Sequence, residues 1–130
     1  MTAGAAATTL ANKWLDMLGA TAFTAPTNTY VKLHTGDPGA AGTTAASANT
    51  TRVILAWSAA SAGAKAITAT LPSWATWASG SETITHVSVW DNLTAGNFLF
   101  SVALTASKPV TNGDTLNLTS LSVSITPIAA

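Results

Sequence analysis

The sequence contains no cysteine. That one absence removes disulfides, thiolate metal sites and thiol nucleophiles together, and it leaves the compartment open. Charge is nearly as scarce. Only 8% of residues are charged, five basic and five acidic, for a formal net charge of +0; an ordinary soluble domain carries about 25%. The basic residues Lys13, Lys32, Arg52, Lys65 and Lys108 are scattered, and none sits beside another. Phosphate backbones and anionic lipid surfaces both require a basic cluster. The expectation is therefore no nucleic-acid partner and no membrane partner. No stretch approaches the roughly 20 consecutive apolar residues of a membrane-spanning helix. The first ten residues lack the positive region and apolar core of a secretory leader.

Catalytic signatures are missing as well. There is no G-x-S-x-G, no phosphate-binding P-loop and no G-x-G-x-x-G. His34 and His86 are the only histidines, and no acidic pair stands at metal-ligand spacing beside either. Asp16, Asp37, Glu82, Asp91 and Asp114 are far apart in sequence, and three of them fall in turns. The expected reading is a chain with no catalytic site, no metal and no cofactor.

What is present is apolar and small. Hydrophobic residues make up 48% of the 130 positions. A chain of this length buries roughly 65–70% of its unfolded surface, so one domain spanning 1–130 is expected. With so few charges, its surface must be built from Thr, Ser, Ala, Asn and Gly. Nothing on such a surface repels a neighbour, and a free monomer is poorly protected against association. This composition suits a protein packed against others.

Residues 1–7 are small and Ala-rich, a loose arm by composition. Thr8 or Thr9 can cap a helix over 9–18. Leu10, Trp14, Met17 and Leu18 make one apolar stripe on it, and Gly19 is the natural stop. The stripe docks on the protein's own sheet or on a neighbouring subunit; for Trp14 own-core packing is the preferred reading, with an interface as the alternative. After a linker, Tyr30 to His34 alternates as a half-buried strand, with Val31 and Leu33 inward and Tyr30, Lys32 and His34 on the polar side. Gly36, Asp37, Pro38 and Gly39 break it in a turn: proline presets φ, the glycines permit positive φ, and the aspartate can bond the backbone ahead of it. Residues 40–51 then form a small, polar surface loop, of a length that is usually functional or mobile. Ala40, Thr44 and Asn49 are its candidate contact residues.

Strands are expected over 52–57, with Val53, Leu55 and Trp57 in phase, and over 65–71. Trp74 and Trp77, three apart, share no strand face. That makes them the candidates for an interface or a bound ligand, including a sugar. Residues 82–90 read as a central strand with Ile84, His86, Ser88 and Trp90 on one face and Thr85, Val87 and Val89 on the other. It forms a hairpin with 97–104. Lys108-Pro109 and Asn112-Gly113-Asp114 are turn signals. In the last run, Leu116 and Leu118 are out of phase with Leu121, Val123 and Ile125, so a bulge or turn belongs at Thr119-Ser120. The strand region ends near 126, before Pro127. One helix followed by about seven short strands is the pattern of a mainly β protein, a β-sandwich or Greek-key barrel.

The segment Leu33-His-Thr-Gly-Asp-Pro-Gly39 is similar to an L-H-T-x-D-P-G stretch in a family of small virion proteins of tailed bacteriophages. The helix ending Asn12-Lys-Trp-Leu-Asp16, the run from Glu82 to Asp91 followed by Gly96-Asn-Phe-Leu99, and the closing Gly113-Asp114 turn also resemble that family. The resemblance implies a non-enzymatic structural protein of the virion, made in the host cytoplasm. The first expectation is a capsid decoration or minor capsid protein bound to the major capsid protein or other virion proteins. It would contact them through the arm 1–7, the loop 40–51, Trp74 and Trp77, and would self-associate; a trimer would suit a threefold capsid position. The alternative is a minor tail, tail-fibre or baseplate component, and a carbohydrate-binding module is the remote third.

Overall fold

The computed structural model describes residues 4–19 and 21–125. It is mainly β, a small sandwich preceded by one helical segment. The helical segment runs from a π turn over Ala7–Ala11 through α1 (Asn12–Asp16) to a 3-10 turn over Met17–Gly19. The strands are β1 (Thr29–His34), β2 (Val53–Leu55), β3 (Ala64–Ala66), β4 (Ser73–Trp74), β5 (Glu82–Trp90), β6 (Phe98–Val110), β7 (Leu116–Asn117) and β8 (Ser122–Ser124). A four-stranded antiparallel sheet has the order β2-β1-β5-β6, and β3-β8 and β4-β7 form two short ribbons.

The alternation in β1 explains the layer order. Val31 pairs with Val89 and Val53, and Leu33 pairs with Val87. These side chains share one sheet face and join Leu55, Trp74, Trp77, Leu116 and Leu121 in the buried cluster. The ribbons thus close the apolar side. The other face carries His34, Ser88 and Ser101, all buried, together with Trp90 and Phe98. His34, expected on an outward polar side, is wholly buried because the chain after β1 folds back across this face.

Four further expectations change. Residues 4–6 are not a loose arm: Ala5 bridges Phe100, Ala6 N–H donates to Leu99 O at 2.7 Å, and Ser101 N–H donates to Gly4 O at 2.9 Å. Residues 1–3 of that arm lie outside the described residues, as does the strand limit at 126. Neither Thr8 nor Thr9 caps the helix; Ala6 is at the N-cap without a side-chain bond, and the Thr9 hydroxyl donates to Phe98 O. Lys108 and Pro109 do not turn the chain. They lie inside β6, pairing with Ile84 and Thr83. Finally, the ladder slips between Ile84 and His86, where Thr85 alone opposes Leu104 to Ser107. Ile84, on the far side of this slip, is wholly buried in the same cluster as Val87 and Val89. The break expected at Thr119-Ser120 separates β7 from β8.

Candidate assembly surfaces

The turn after β1 is held by its own residues. Asp37 Oδ1 accepts from Gly39 N–H at 2.8 Å, and Gly39 has φ +71°, a conformation that disfavours any side chain. Pro38 is buried, and its carbonyl accepts from Thr44 N–H at 2.9 Å. The chain then returns beside β1: Thr35 N–H donates to Ala45 O at 2.9 Å and Ser47 N–H to Leu33 O at 3.1 Å. Segment 36–49 is consequently a folded flap over the polar face of the sheet.

Three contacts fasten the flap. His34 Nδ1 meets Thr44 O at 2.9 Å, and His34 Nε2 meets Ser88 Oγ at 2.7 Å, with Trp90 Nε1–H donating to the same Oγ at 2.8 Å. Because Thr44 O only accepts, Nδ1 carries the proton and Nε2 accepts from the Ser88 hydroxyl. Burial pushes the His34 pKa below its usual value; the Thr44 carbonyl opposes this, and nearby Lys32 and His86 add to it. At a second point, the Glu82 carboxylate accepts from the Ser47 hydroxyl and from Ala48 N–H at 3.2 Å. The third contact is packing: a Cβ on Gly42, whose φ is +70°, would lie 2.4 Å from a Phe98 ring carbon.

Beside the flap, the Arg52 guanidinium stacks 4.0 Å over the Trp90 ring and donates to Asn92 O and Ala95 O, both at 2.7 Å. It thereby ties β2 to the 91–97 hairpin loop. Burial lowers its pKa, partly offset by Asp91. Lys32 is lowered too, first by burial and then by Arg52. These interactions hold the structure together. Among the described residues, no three His, Asp or Glu side chains gather where a metal ion would sit, and no helix is long and apolar enough to cross a membrane.

The candidate contact residues separate. Ala40 and Thr44 are exposed on the flap, and Asn49 is half-buried at its end. Trp14 is partly buried against the core. Trp74 and Trp77 are 3% and 1% exposed, so neither presents a surface to a partner or a sugar. Their indole N–H groups donate to Thr51 O at 3.0 Å and Gly80 O at 2.9 Å. Both reach the core because Thr76 between them has φ +53°, which turns the chain within the triplet.

The exposed apolar surface lies elsewhere. Leu15, Met17 and Leu18 are 65%, 57% and 84% exposed. Only the first half of the expected stripe, Leu10 and Trp14, packs on the core. A groove of about 600 Å³ opens between the outer half of β6 and residues 115–122. Val102, Leu104, Leu118 and Leu121 line it, Trp74 forms part of its floor, and Lys108 stands at its side. The helical stripe was expected to dock on the protein's own sheet or on a neighbouring subunit, whereas the groove was not anticipated; its only hint was the phase break between Leu118 and Leu121.

A family model described as podophage GP4 fiber I protein gp80 matches residues 5–126, nearly the whole chain. No curated protein matches. The chain belongs to that phage fibre family and is a phage structural protein.

Proposed function

We propose that the chain is a fibre component of a phage tail, acting by protein–protein contact and without catalysis. The observation that carries this reading is the family match across residues 5–126. It favours the tail-fibre alternative over capsid decoration, which no feature of the structure supports in particular. The composition agrees with life inside an assembly, since only 8% of residues are charged and little on the surface opposes close packing. The buried polar side chains His34, Ser47 and Ser88 are engaged in fastening the flap. The carbohydrate-binding alternative rested on Trp74 and Trp77, and both belong to the core. The partners are other virion proteins and further copies of the chain.

The test is the position and copy number of the chain in intact virions, by antibody labelling and quantitative peptide mass spectrometry. Label confined to tail appendages, at a few to some tens of copies, supports the proposal. Hundreds of copies spread over DNA-filled heads overturn it in favour of decoration.

A further inference from the structure

One apolar surface and one groove lined by both apolar and polar side chains have no cover among the described residues. The first is the exposed side of the helical segment. Leu15 and Leu18, three residues apart, stand on one face, with Met17 at the end of the segment, and all three are exposed. The second is the groove beside β6, which none of the described helical residues lines. The groove is open there because Leu104 to Ser107 bulge out of the ladder with β5, and because the chain between β7 and β8 stands away from β6.

The charges next to these surfaces are opposite. Asp16 lies beside Leu15 and is the only acid of the helical segment. Lys13 is turned aside, lining a separate small pocket with Phe23, Pro26 and Asp91. Lys108 is the only charged residue among the described residues that line the groove. Neither Asp16 nor Lys108 has a charged side-chain partner among the described residues. In a chain with ten charged residues in all, five of each sign, one free acid beside the knob and one free base beside the hole is an informative match.

We propose that the groove between β6 and residues 115–122 receives the Leu15–Leu18 knob of a second copy of this chain, with Asp16 of one copy facing Lys108 of the other. The knob and the groove are different surfaces, so the contact is head-to-tail. In an open array one end copy keeps an unused knob and the other an unused groove. Such contacts close into rings or continue as filaments, according to the rotation between neighbours. The apolar contact supplies the driving force, and the ion pair fixes orientation. This rests on the structural-protein reading above and names the partner of that same role.

The experiment uses the full chain in sedimentation velocity over a concentration series, with circular dichroism and Tm as checks on folding. The variants are Leu18→Asp for the knob and Ala106→Glu for the groove, both at exposed positions. Wild type is expected to associate, and each variant alone to lose association at least tenfold while keeping its Tm. An equimolar mixture of the two variants is expected to form a capped heterodimer, because each supplies the surface the other lacks. Asp16→Lys and Lys108→Asp are each expected to weaken association, and their combination in one chain to recover it. A wild-type chain that stays monomeric throughout, oligomers indifferent to Leu18→Asp and Ala106→Glu, or a mixture that stays monomeric each overturns the proposal. A chain found on tail appendages whose oligomers ignore these substitutions overturns this inference alone; one found across the heads overturns the fibre reading.

Discussion

His34 on β1 and Ser88 on β5 are joined by a 2.7 Å hydrogen bond between two fully buried side chains. The network is complete only while the imidazole is neutral, with Nδ1–H on Thr44 O and the Ser88 hydroxyl proton on Nε2. The His34 pKa is lowered in the folded state. Above the unfolded value of about 6.5 both states are neutral, and the bond's stability is fully present. As pH falls through that value, the unfolded chain takes up the proton first, and stability declines toward the folded pKa. Urea midpoints should therefore fall between pH 7.5 and pH 5. The decline should be smaller in His34→Gln, although Lys32 and His86 also face this site. Equal slopes in the two proteins would mean that His34 is not the group responsible. Ser88→Ala should cost about 1–3 kcal/mol at pH 7.5, because Trp90 Nε1–H and His34 Nε2 both lose their partner.

Gly42 and Gly80 both have positive φ, +70° and +81°, but their surroundings differ. A Cβ at Gly42 meets the Phe98 ring at 2.4 Å, while one at Gly80 meets nothing within 4 Å. Gly80→Ala should cost only the left-handed backbone penalty, about 1–2 kcal/mol. Gly42→Ala adds overpacking against a buried ring and should cost about 2–4 kcal/mol. Phe98→Leu should recover part of the loss in the Gly42→Ala background but not in the Gly80→Ala one. Chemical denaturation of the four proteins measures this. Equal costs at the two glycines would show that the flap does not press on Phe98.

Trp77 is pinned from the opposite end of the chain. Its N–H donates to Asp114 O and its carbonyl accepts from Gly113 N–H, both at 2.8 Å. Gly80 N–H donates to Asn112 Oδ1 at 2.8 Å. The Trp77 indole is buried and donates to Gly80 O, so Trp77→Ala should unfold or destabilise the protein by about 3–5 kcal/mol, visible as a lowered denaturant midpoint. A variant that kept wild-type stability would return Trp77 to the surface role first assigned to it. Asp114→Ala, which loses the Thr111 N–H bond at 2.9 Å, should cost about 1–2 kcal/mol.

These tryptophans show where sequence reading stops. The Asn112-Gly113-Asp114 turn was legible because its residue types carry the conformation themselves. The β1 face and the β5–β6 hairpin were legible because period-2 alternation is a local signal. The inward turn at Thr76 was not, because a left-handed threonine leaves no mark in the sequence and is imposed by tertiary contacts. The slip in the β5–β6 ladder opposite Thr85 likewise left no local mark. His34 looked outward-facing because strand alternation says nothing about what folds across the sheet afterwards. For the candidate surfaces the signal ran the other way. Met17 and Leu18 fitted a docking stripe, yet a helical segment this short turns only Leu10 and Trp14 onto the core.

The flap itself offers the last prediction. Residues 40–51 have the composition of a mobile loop, yet Glu82 holds the segment through the Ser47 hydroxyl and Ala48 N–H. Ser47 Oγ in turn accepts from Asn49 N–H at 3.0 Å, and Asn49 Oδ1 from Thr51 N–H at 3.1 Å. One carboxylate therefore orders a chain of successive backbone turns. Cleavage of a native protein at such a site requires local opening, so its rate reports the free energy of that opening. Elastase, which cuts after small residues, should cleave wild type slowly within 40–51. It should cleave Glu82→Ala severalfold faster at the same peptide bonds, with only a small change in global Tm. Glu82→Gln retains an acceptor for Ala48 N–H and should fall between the two. If Glu82→Ala and wild type were cut at the same rate, the loop would be held by the His34 and Phe98 contacts alone, and Glu82 would have no part in closing it.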